Sequence, residues 1–299
     1  MKVYVNQKVV NGPWGGGNSF VRAFRRHIHE KHELVDVHDG LGAHDVPDVN
    51  VIVGAFEPNV EQMLMHKMTF GSTVPLVIRV NECDARKDTK NVDKHLIELS
   101  KHVDGTVFVS QWLHDHLMNK GWVCKKNTVI RNGVDADIFK PGAKFNNGKV
   151  NIAAHHWSDN EKKGRDIYEA LDAFVGDHKD TFSFTYIGRH RCNFKNTNVI
   201  QPMWGKALGE ELGKYDVYVS ASRFEPGPNH VIESISCGLP TFVHKDGGGA
   251  VEFTGGTGVY SDWNELSAML IEKKMPVANF SFDTWKQCAE KYVEFLQSL

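Results

Sequence analysis

Short runs rich in Val and Ile, apolar at nearly every position, recur along the chain. Between them lie segments whose apolar residues return every three or four positions. VNVIVGAF (49–56), VPLVIRV (74–80), GTVFVS (105–110) and NTVIRNGV (127–134) belong to the first kind. Continuous runs of this length are expected of parallel strands buried on both faces. Residues 17–31, 59–70, 91–102 and 111–120 belong to the second kind, and in the first of these Phe20, Phe24 and Ile28 share one helical face. The opening MKVYVNQKVV has the pattern of a first strand.

The alternation pauses at FKPGAKFNNGK (139–149), where Pro, Gly and Asn gather without apolar periodicity. That composition predicts an interdomain linker. The pattern then restarts: strand 149–155, helix 164–178, strands 182–188 and 215–222, and strand 240–245. A last helix is expected over 284–299, with Trp285, Cys288, Tyr292 and Phe295 three or four residues apart. Two successive βαβ halves predict an α/β chain of two Rossmann-like domains.

Composition narrows the picture modestly. The 299 residues include 41% hydrophobic and 24% charged positions and carry a net charge of −2, as in ordinary globular proteins. No basic block interleaved with aromatics favours nucleic acid. The five cysteines, Cys83, Cys124, Cys192, Cys237 and Cys288, are scattered and odd in number, which suits a reducing compartment. The N-terminus lacks the apolar core of a signal peptide, and no run approaches a transmembrane segment, so a cytoplasmic protein is expected. His27, His29, His32 and His38, and the pair His114 and His116, fit a polar helical face better than a metal site, because no Cys/His framework accompanies them.

The candidate chemistry sits in FEPGPNHVIESISCGLP (224–240). Glu225 and Glu233 lie eight residues apart, separated by a Pro-Gly-Pro turn and the expected start of a helix near Asn229; Gly238 and Pro240 end that helix. The preceding strand delivers Glu225 to the carboxyl edge of a parallel sheet, where ligands of open α/β folds bind. The free amides of the first helical turn favour an anion such as a diphosphate. Glu225 can accept from hydroxyls at one end of a ligand and Glu233 from a ribose at the other. A capping acid beside a solvated acid would give the same bare spacing.

In this context SASRFEPGPNHVIESISCGLPTF resembles the signature of family-4 retaining glycosyltransferases (glycosyl transferases group 1). TVIRNGVDADIFKP (128–141) is similar to the family's Asn-Gly-Val-Asp stretch, KKGRDIYEAL (162–171) to its Lys-Gly helix start, and GPWGGGNSF (12–20) to its Gly-rich loop. The resemblance implies the GT-B fold, two Rossmann-like domains facing across a cleft. The first would span 1–142, completed by helix 284–299, on the acceptor side; the second, 143–283, would hold the donor. It implies a nucleotide diphosphate sugar as donor substrate with no cofactor and no metal, and a glycan or glycoconjugate acceptor; the charge pattern already speaks against a nucleic acid partner. Homodimerisation stays open.

By the same resemblance Glu233 binds ribose hydroxyls, Glu225 the transferred sugar and Lys163 the diphosphate. Gly15, Gly16 and Gly17 let the backbone approach phosphate, and Arg189 lies near the base. Three departures follow. The family's Arg before the Lys is Ser158 here, so His156 or Ser158 would stand in. Pro226, Gly227 and Pro228 replace Gly-Phe-Gly, and two prolines remove two amide donors, which shifts the load to Gly227, Asn229 and His230. The family's first-domain His has no counterpart; VIRVNECD (77–84) offers Arg79, Asn81 and Glu82, of which Asn81 is taken as catalytic. Asp135-Ala136-Asp137 imitates a metal-binding D-x-D motif but leads into the linker and is taken as structural.

The expected activity is therefore metal-independent hexosyl transfer with retention. The acceptor attacks from the face the diphosphate leaves, and domain closure excludes water. GDP-mannose, UDP-glucose and UDP-N-acetylglucosamine all occur as donors in the family, and GDP-mannose is slightly favoured. The alternatives are a GT-B-fold nucleotide-sugar epimerase and a non-catalytic nucleotide-sugar-binding protein. A Rossmann dehydrogenase stands further off, because GPWGGGNSF is not G-x-G-x-x-G.

Overall fold

The computed structural model describes residues 1–12, 15–29, 32–36, 46–57, 59–70, 73–277 and 281–299. Pro13 and Trp14 of the Gly-rich loop, Lys31 at the end of the first expected helix, and His38 lie outside them. The chain divides into two compact units. One comprises Met1–Asp84, Asp88–Gly133 and Asp283–Leu299; the other comprises Ala85–Lys87 and Val134–Phe282.

The first unit is built on a parallel sheet of β1 (Lys2–Val5), β2 (Glu33–Asp36), β3 (Val49–Ile52), β4 (Leu76–Val80), β5 (Gly105–Phe108) and β6 (Asn127–Val129), in the order β2-β1-β3-β4-β5-β6. Helices α1 (Gly16–Ile28), α2 (Val60–Phe70), α3 (Val92–Leu99) and α4 (Gln111–Met118) connect the strands. Asn6, buried just past β1, staples two strand ends together: its Oδ1 accepts from the Val53 amide at 2.8 Å and its Nδ2 donates to the Gly54 carbonyl at 2.7 Å. The strand expected over 127–134 stops at Val129, because the following residues serve tertiary contacts. Arg79 is buried in β4, donates to Asn132 Oδ1 at 2.7 Å, and stacks over the Phe20 ring.

The second unit carries β7 (Val150–His156), β8 (Phe182–Gly188), β9 (Asn198–Ile200), β10 (Val217–Ser220), β11 (Thr241–His244) and β12 (Val259–Tyr260), all parallel, in the order β12-β11-β10-β7-β8-β9. Its helices are α5 (Arg165–Asp177), α6 (Gly205–Leu212), α7 (Asn229–Ser236), α8 (Gly249–Phe253) and α9 (Trp263–Ile271). Strand order runs outward from β7 in one direction and from β10 in the other. The two strands therefore flank the reversal point at which open α/β sheets bind ligands. The ladder between them covers only Val217 with Ile152 and Tyr218 with Ala153. Beyond it, the Tyr218 hydroxyl accepts from the His155 amide at 3.1 Å and donates to the His155 carbonyl at 3.3 Å.

Residues 139–149, expected as a linker, have no regular structure and lie on the second unit. The Phe145 amide donates to the Lys214 carbonyl, and its ring packs edge-on against Tyr215. Asp135 accepts from the amides of Ile138 and Phe139 in a turn whose Val134 and Phe139 join the core. The chain then returns to the first unit as α10 (Trp285–Gln297), opened by a capping box between Thr284 and Gln287. Tyr292 of α10 packs at 4.6 Å from the Phe20 ring and 5.8 Å from Phe24. At Gly133 a Cβ would lie 2.6 Å from the Trp285 backbone, so glycine is what lets α10 start there.

Sequence periodicity left β2, β9, β12, α6, α8 and α9 unassigned. β12 and α8 are too short to show a period, and α6 is diluted by Gly205, Gly209 and the Gly213 that follows it. For α9 a signal existed: Asp262 caps the Glu265 amide, and Leu266 and Leu270 are buried one turn apart.

Gly164 is in the left-handed region at φ 81°, and a Cβ there would sit 2.2 Å from the Ala221 carbonyl. Gly148 shares the backbone region (φ 72°) with nothing within 4 Å. Gly148→Ala should therefore cost about 1–2 kcal/mol for its backbone alone, and Gly164→Ala about 3 kcal/mol or more. Urea unfolding of the two variants checks the difference.

Candidate active site

Three charged side chains of the second unit, Lys163, Glu225 and Arg86, meet beyond the carboxyl ends of β7 and β10. After β7 the chain makes a 3₁₀ turn, Glu161–Lys163, capped by Asn160, whose Oδ1 accepts from the Lys162 amide at 3.0 Å. Gly164 then closes the turn and starts α5. This brings Lys163, buried, onto Glu225: its ammonium donates to Glu225 Oε1. Arg86, in the 3₁₀ turn Asp84–Arg86, lies 3.8 Å from Oε2. Burial pushes the Glu225 carboxyl up, but the neighbouring Lys163 ammonium and Arg86 guanidinium outweigh it and hold the group down at about 2.

The Glu225 backbone is clamped as firmly as its side chain. Its amide donates to the Gly247 carbonyl at 3.2 Å, and its carbonyl accepts from the Gly249 amide at 2.8 Å. Phe224 before it takes a left-handed φ of 56° and donates to the Asp246 carbonyl at 2.7 Å. At Gly248 (φ 66°) a Cβ would meet the Glu225 backbone at 2.9–3.0 Å. Sequence inspection missed this role of Gly247–Gly249. The signal was present, since KDGGGAVEF sets three glycines between a strand and a helix start, as GGGNSF does near the N-terminus. Arg86 was missed too, and no local pattern marks it.

Helix α7 starts at Asn229 after Pro228, and its amino end has no side-chain cap. Gly227 and Asn229 are half-buried beside it. Glu233, in the second turn, receives a hydrogen bond from His155 Nε2 at Oε2, 2.8 Å long. A carboxylate only accepts, so that imidazole nitrogen carries the proton. The His230 side chain points inward to Ser220 Oγ at 2.8 Å. The His156 side chain is likewise interior, 2.7 Å from the Tyr168 hydroxyl, which also accepts from the Ala221 amide. The side chains of these two residues, expected beside phosphate, are thus occupied within the unit. Ser158 is half-buried and accepts from Asn160 Nδ2 at 2.9 Å. Arg189 is exposed, with its guanidinium 3.9 Å above the Trp157 ring.

In the first unit Gly15 caps α1 without a side-chain bond, and Gly16 and Gly17 form its first residues. Val10 is tied to this helix by Asn18, which accepts from the Val10 amide at 2.8 Å and donates to the Val10 carbonyl at 2.9 Å. Asn81 follows β4 at its carboxyl end and is half-buried. Arg79 belongs to the core. Among the described residues no group of three or more His, Cys, Asp or Glu could hold a metal ion, and no helix is long and apolar enough to cross a membrane.

No protein-family model matches the sequence, and no curated protein matches it. Solved structures do resemble it. Anabaena HepE in complex with UDP and glucose is similar over 100% of this chain and 99% of its own, with a TM-score of 0.75 at 13% identity. The fold is GT-B. Sucrose-phosphate synthase from Thermosynechococcus elongatus is similar over 100% of this chain and 98% of its own, with a TM-score of 0.73 at 10% identity. The pneumococcal O-GlcNAc transferase GtfA, in complex with UDP and GlcNAc, is similar over 84% of this chain and 55% of its own, with a TM-score of 0.57 at 13% identity. At these identities the GT-B likeness is one of backbone architecture.

The buried histidines give this unit an acid sensitivity. Burial, with nearby Lys163, holds His156 and His230 well below the ordinary value of 6.5, so both stay neutral in the fold. As pH falls through 6.5 the unfolded chain takes up protons that the folded one refuses, and stability drops. Two such groups give a slope of up to about 2.7 kcal/mol per pH unit below that point and none above it. Glu225 adds a loss between its unfolded value of 4.5 and about 2. Denaturant titrations at pH 7.5, 6 and 5 should show the drop, and His156→Phe should remove about half of the slope between pH 6 and 5.

Proposed function

We propose that the chain is a glycosyltransferase that moves a hexose from a nucleoside diphosphate sugar to a hydroxyl of a glycan or glycoconjugate, with retention at the anomeric carbon. The observation that carries this reading is the grouping of Lys163 and Glu225 with Glu233 of α7, at the strand-order reversal of the second sheet. The unit of Ala85–Lys87 and Val134–Phe282 forms the donor side, and the unit of Met1–Asp84, Asp88–Gly133 and Asp283–Leu299 the acceptor side. HepE has also been solved with UDP-glucose, and this turns the donor expectation from GDP-mannose to a UDP-hexose.

Each group then has a task. Glu233 accepts from the ribose hydroxyls. The first-turn amides of α7 and the Lys163 ammonium face the diphosphate and stabilise its developing charge. Glu225 accepts from hydroxyls of the hexose and orients it without attacking it. Gly227, Asn229 and Ser158 border the phosphates, and Arg189 with Trp157 the base. In the first unit Gly15–Gly17 form another helix start without a side-chain cap, and Asn81 takes the acceptor side. The acceptor oxygen bonds to the anomeric carbon as the bond from that carbon to the diphosphate breaks. The hydroxyl proton passes to a phosphate oxygen.

Calorimetry with UDP-glucose, UDP-N-acetylglucosamine and GDP-mannose tests the reading. One of these should bind, and Glu233→Ala should weaken it at least tenfold, since hydrogen bonds to a charged acceptor contribute about 1.5–3 kcal/mol each. Failure of all three to bind, or an unchanged Glu233→Ala, ends it. Donor consumed without acceptor points to an epimerase, and donor bound without any turnover to a binding protein.

A second outcome follows from the ion pair. Glu225 competes with a phosphate for the Lys163 ammonium, so Glu225→Gln should bind UDP alone several-fold more tightly than wild type. The same variant should lose the extra affinity that the hexose confers. Parallel titrations with UDP and UDP-glucose read both effects.

A further inference from the structure

Glu233 is a flexible side chain, half-buried on the second turn of α7, and a ribose clamp needs it fixed. We infer that His155 is the positioning residue that holds the Glu233 carboxylate in its acceptor geometry, so that the pair, and not the acid alone, discriminates for a ribose. The inference rests on the reading of Glu233 given above.

His155 is mounted rigidly. Both its backbone polar groups are taken by the Tyr218 hydroxyl, past the end of the β7–β10 ladder. Its ring is flanked by Tyr218, 5.4 Å away and tilted 68°, and by His230, 6.1 Å away and perpendicular. Only 8% of the residue is exposed. Its Nε2–H donates to Glu233 Oε2 at 2.8 Å. The neighbouring imidazoles do not compete for Glu233, because His230 is bonded to Ser220 and His156 to Tyr168.

The other nitrogen makes the position informative. His155 Nδ1 is buried and has no hydrogen-bond partner among the described residues. A buried polar atom without a partner is destabilising, and a leucine or phenylalanine of similar bulk would avoid that cost. For stability alone, imidazole is therefore a poor choice at this point. Its one polar side-chain contact goes to the acid that the functional reading needs held still. With Oε2 engaged by a rigid donor, rotation of the carboxylate is restrained and Oε1 remains for a hydroxyl.

The test uses calorimetry on the full chain with UDP and 2′,3′-dideoxy-UDP, and with GDP and its dideoxy analogue. Wild type should prefer the ribose form of one pair at least tenfold, and Glu233→Ala should abolish the preference. His155→Leu should lose most of that preference, leaving about a twofold residue, while binding the dideoxy nucleotide as wild type does. His155→Gln, which keeps a donor at that point, should restore part of it. His155→Leu should also melt no lower than wild type. Retention of full preference by His155→Leu overturns the inference, as does equal weakening toward ribose and dideoxy forms, which is what a merely structural role gives. A wild type that does not distinguish the two forms, or a Glu233→Ala that still does, overturns the ribose reading of Glu233 and the positioning role with it.

Discussion

Placing a carboxylate inside a protein is tolerated only when its charge is answered, and Glu225 is answered from every direction. Lys163 meets one oxygen, Arg86 stands near the other, and the main chain on either side is bonded to the 246–249 loop. Removing one partner from such an arrangement typically costs about 3–5 kcal/mol, because the remaining charge is stranded. Much of the local structure serves this contact. Gly164 permits the turn that aims Lys163, Gly248 permits the loop that grips Glu225, and Phe224 accepts a left-handed backbone so that the acid points inward.

Sheet order explains why these pieces meet. β7 and β10 are neighbours in space and far apart in sequence, and the chain leaves them on diverging paths. The gap between their ends is filled by side chains: the hydroxyls of Tyr168 and Tyr218 take over backbone groups that no strand partner reaches. Around them lies a layer of neutral imidazole, His156 and His230, that carries polarity without charge close to the Lys163–Glu225 pair.

Much of the fold was legible in the sequence because parallel strands buried on both faces leave continuous apolar runs. The 182–188 run coincides with β8, and α7 begins at Asn229, where Pro228 and the following apolar spacing indicate it. Contacts between distant segments left no such trace. Nothing near Arg86 announces Glu225, and nothing near His155 announces Glu233. The sequence sets His155 and His156 side by side at the end of β7. Adjacent strand residues point to opposite faces, and so His155 reaches α7 while His156 reaches α5. The Gly247–Gly249 loop was legible and passed over, since three consecutive glycines between a strand and a helix say that backbone must come close to something. Asn132 and Gly133 carry packing instead: one accepts from Arg79 and the other clears space for Trp285.

The placement of α10 has an effect on how the molecule is made. Phe20 and Phe24, near the start of the chain, are covered by Tyr292, near its end. During synthesis on a ribosome the first unit emerges early but lacks that cover until the Trp285–Gln297 segment has been translated. The second unit, nearly all of it continuous in sequence, is complete before then. Vectorial synthesis thus reverses the order in which the two halves can finish folding, because the helix that covers Phe20 and Phe24 is translated after the second unit.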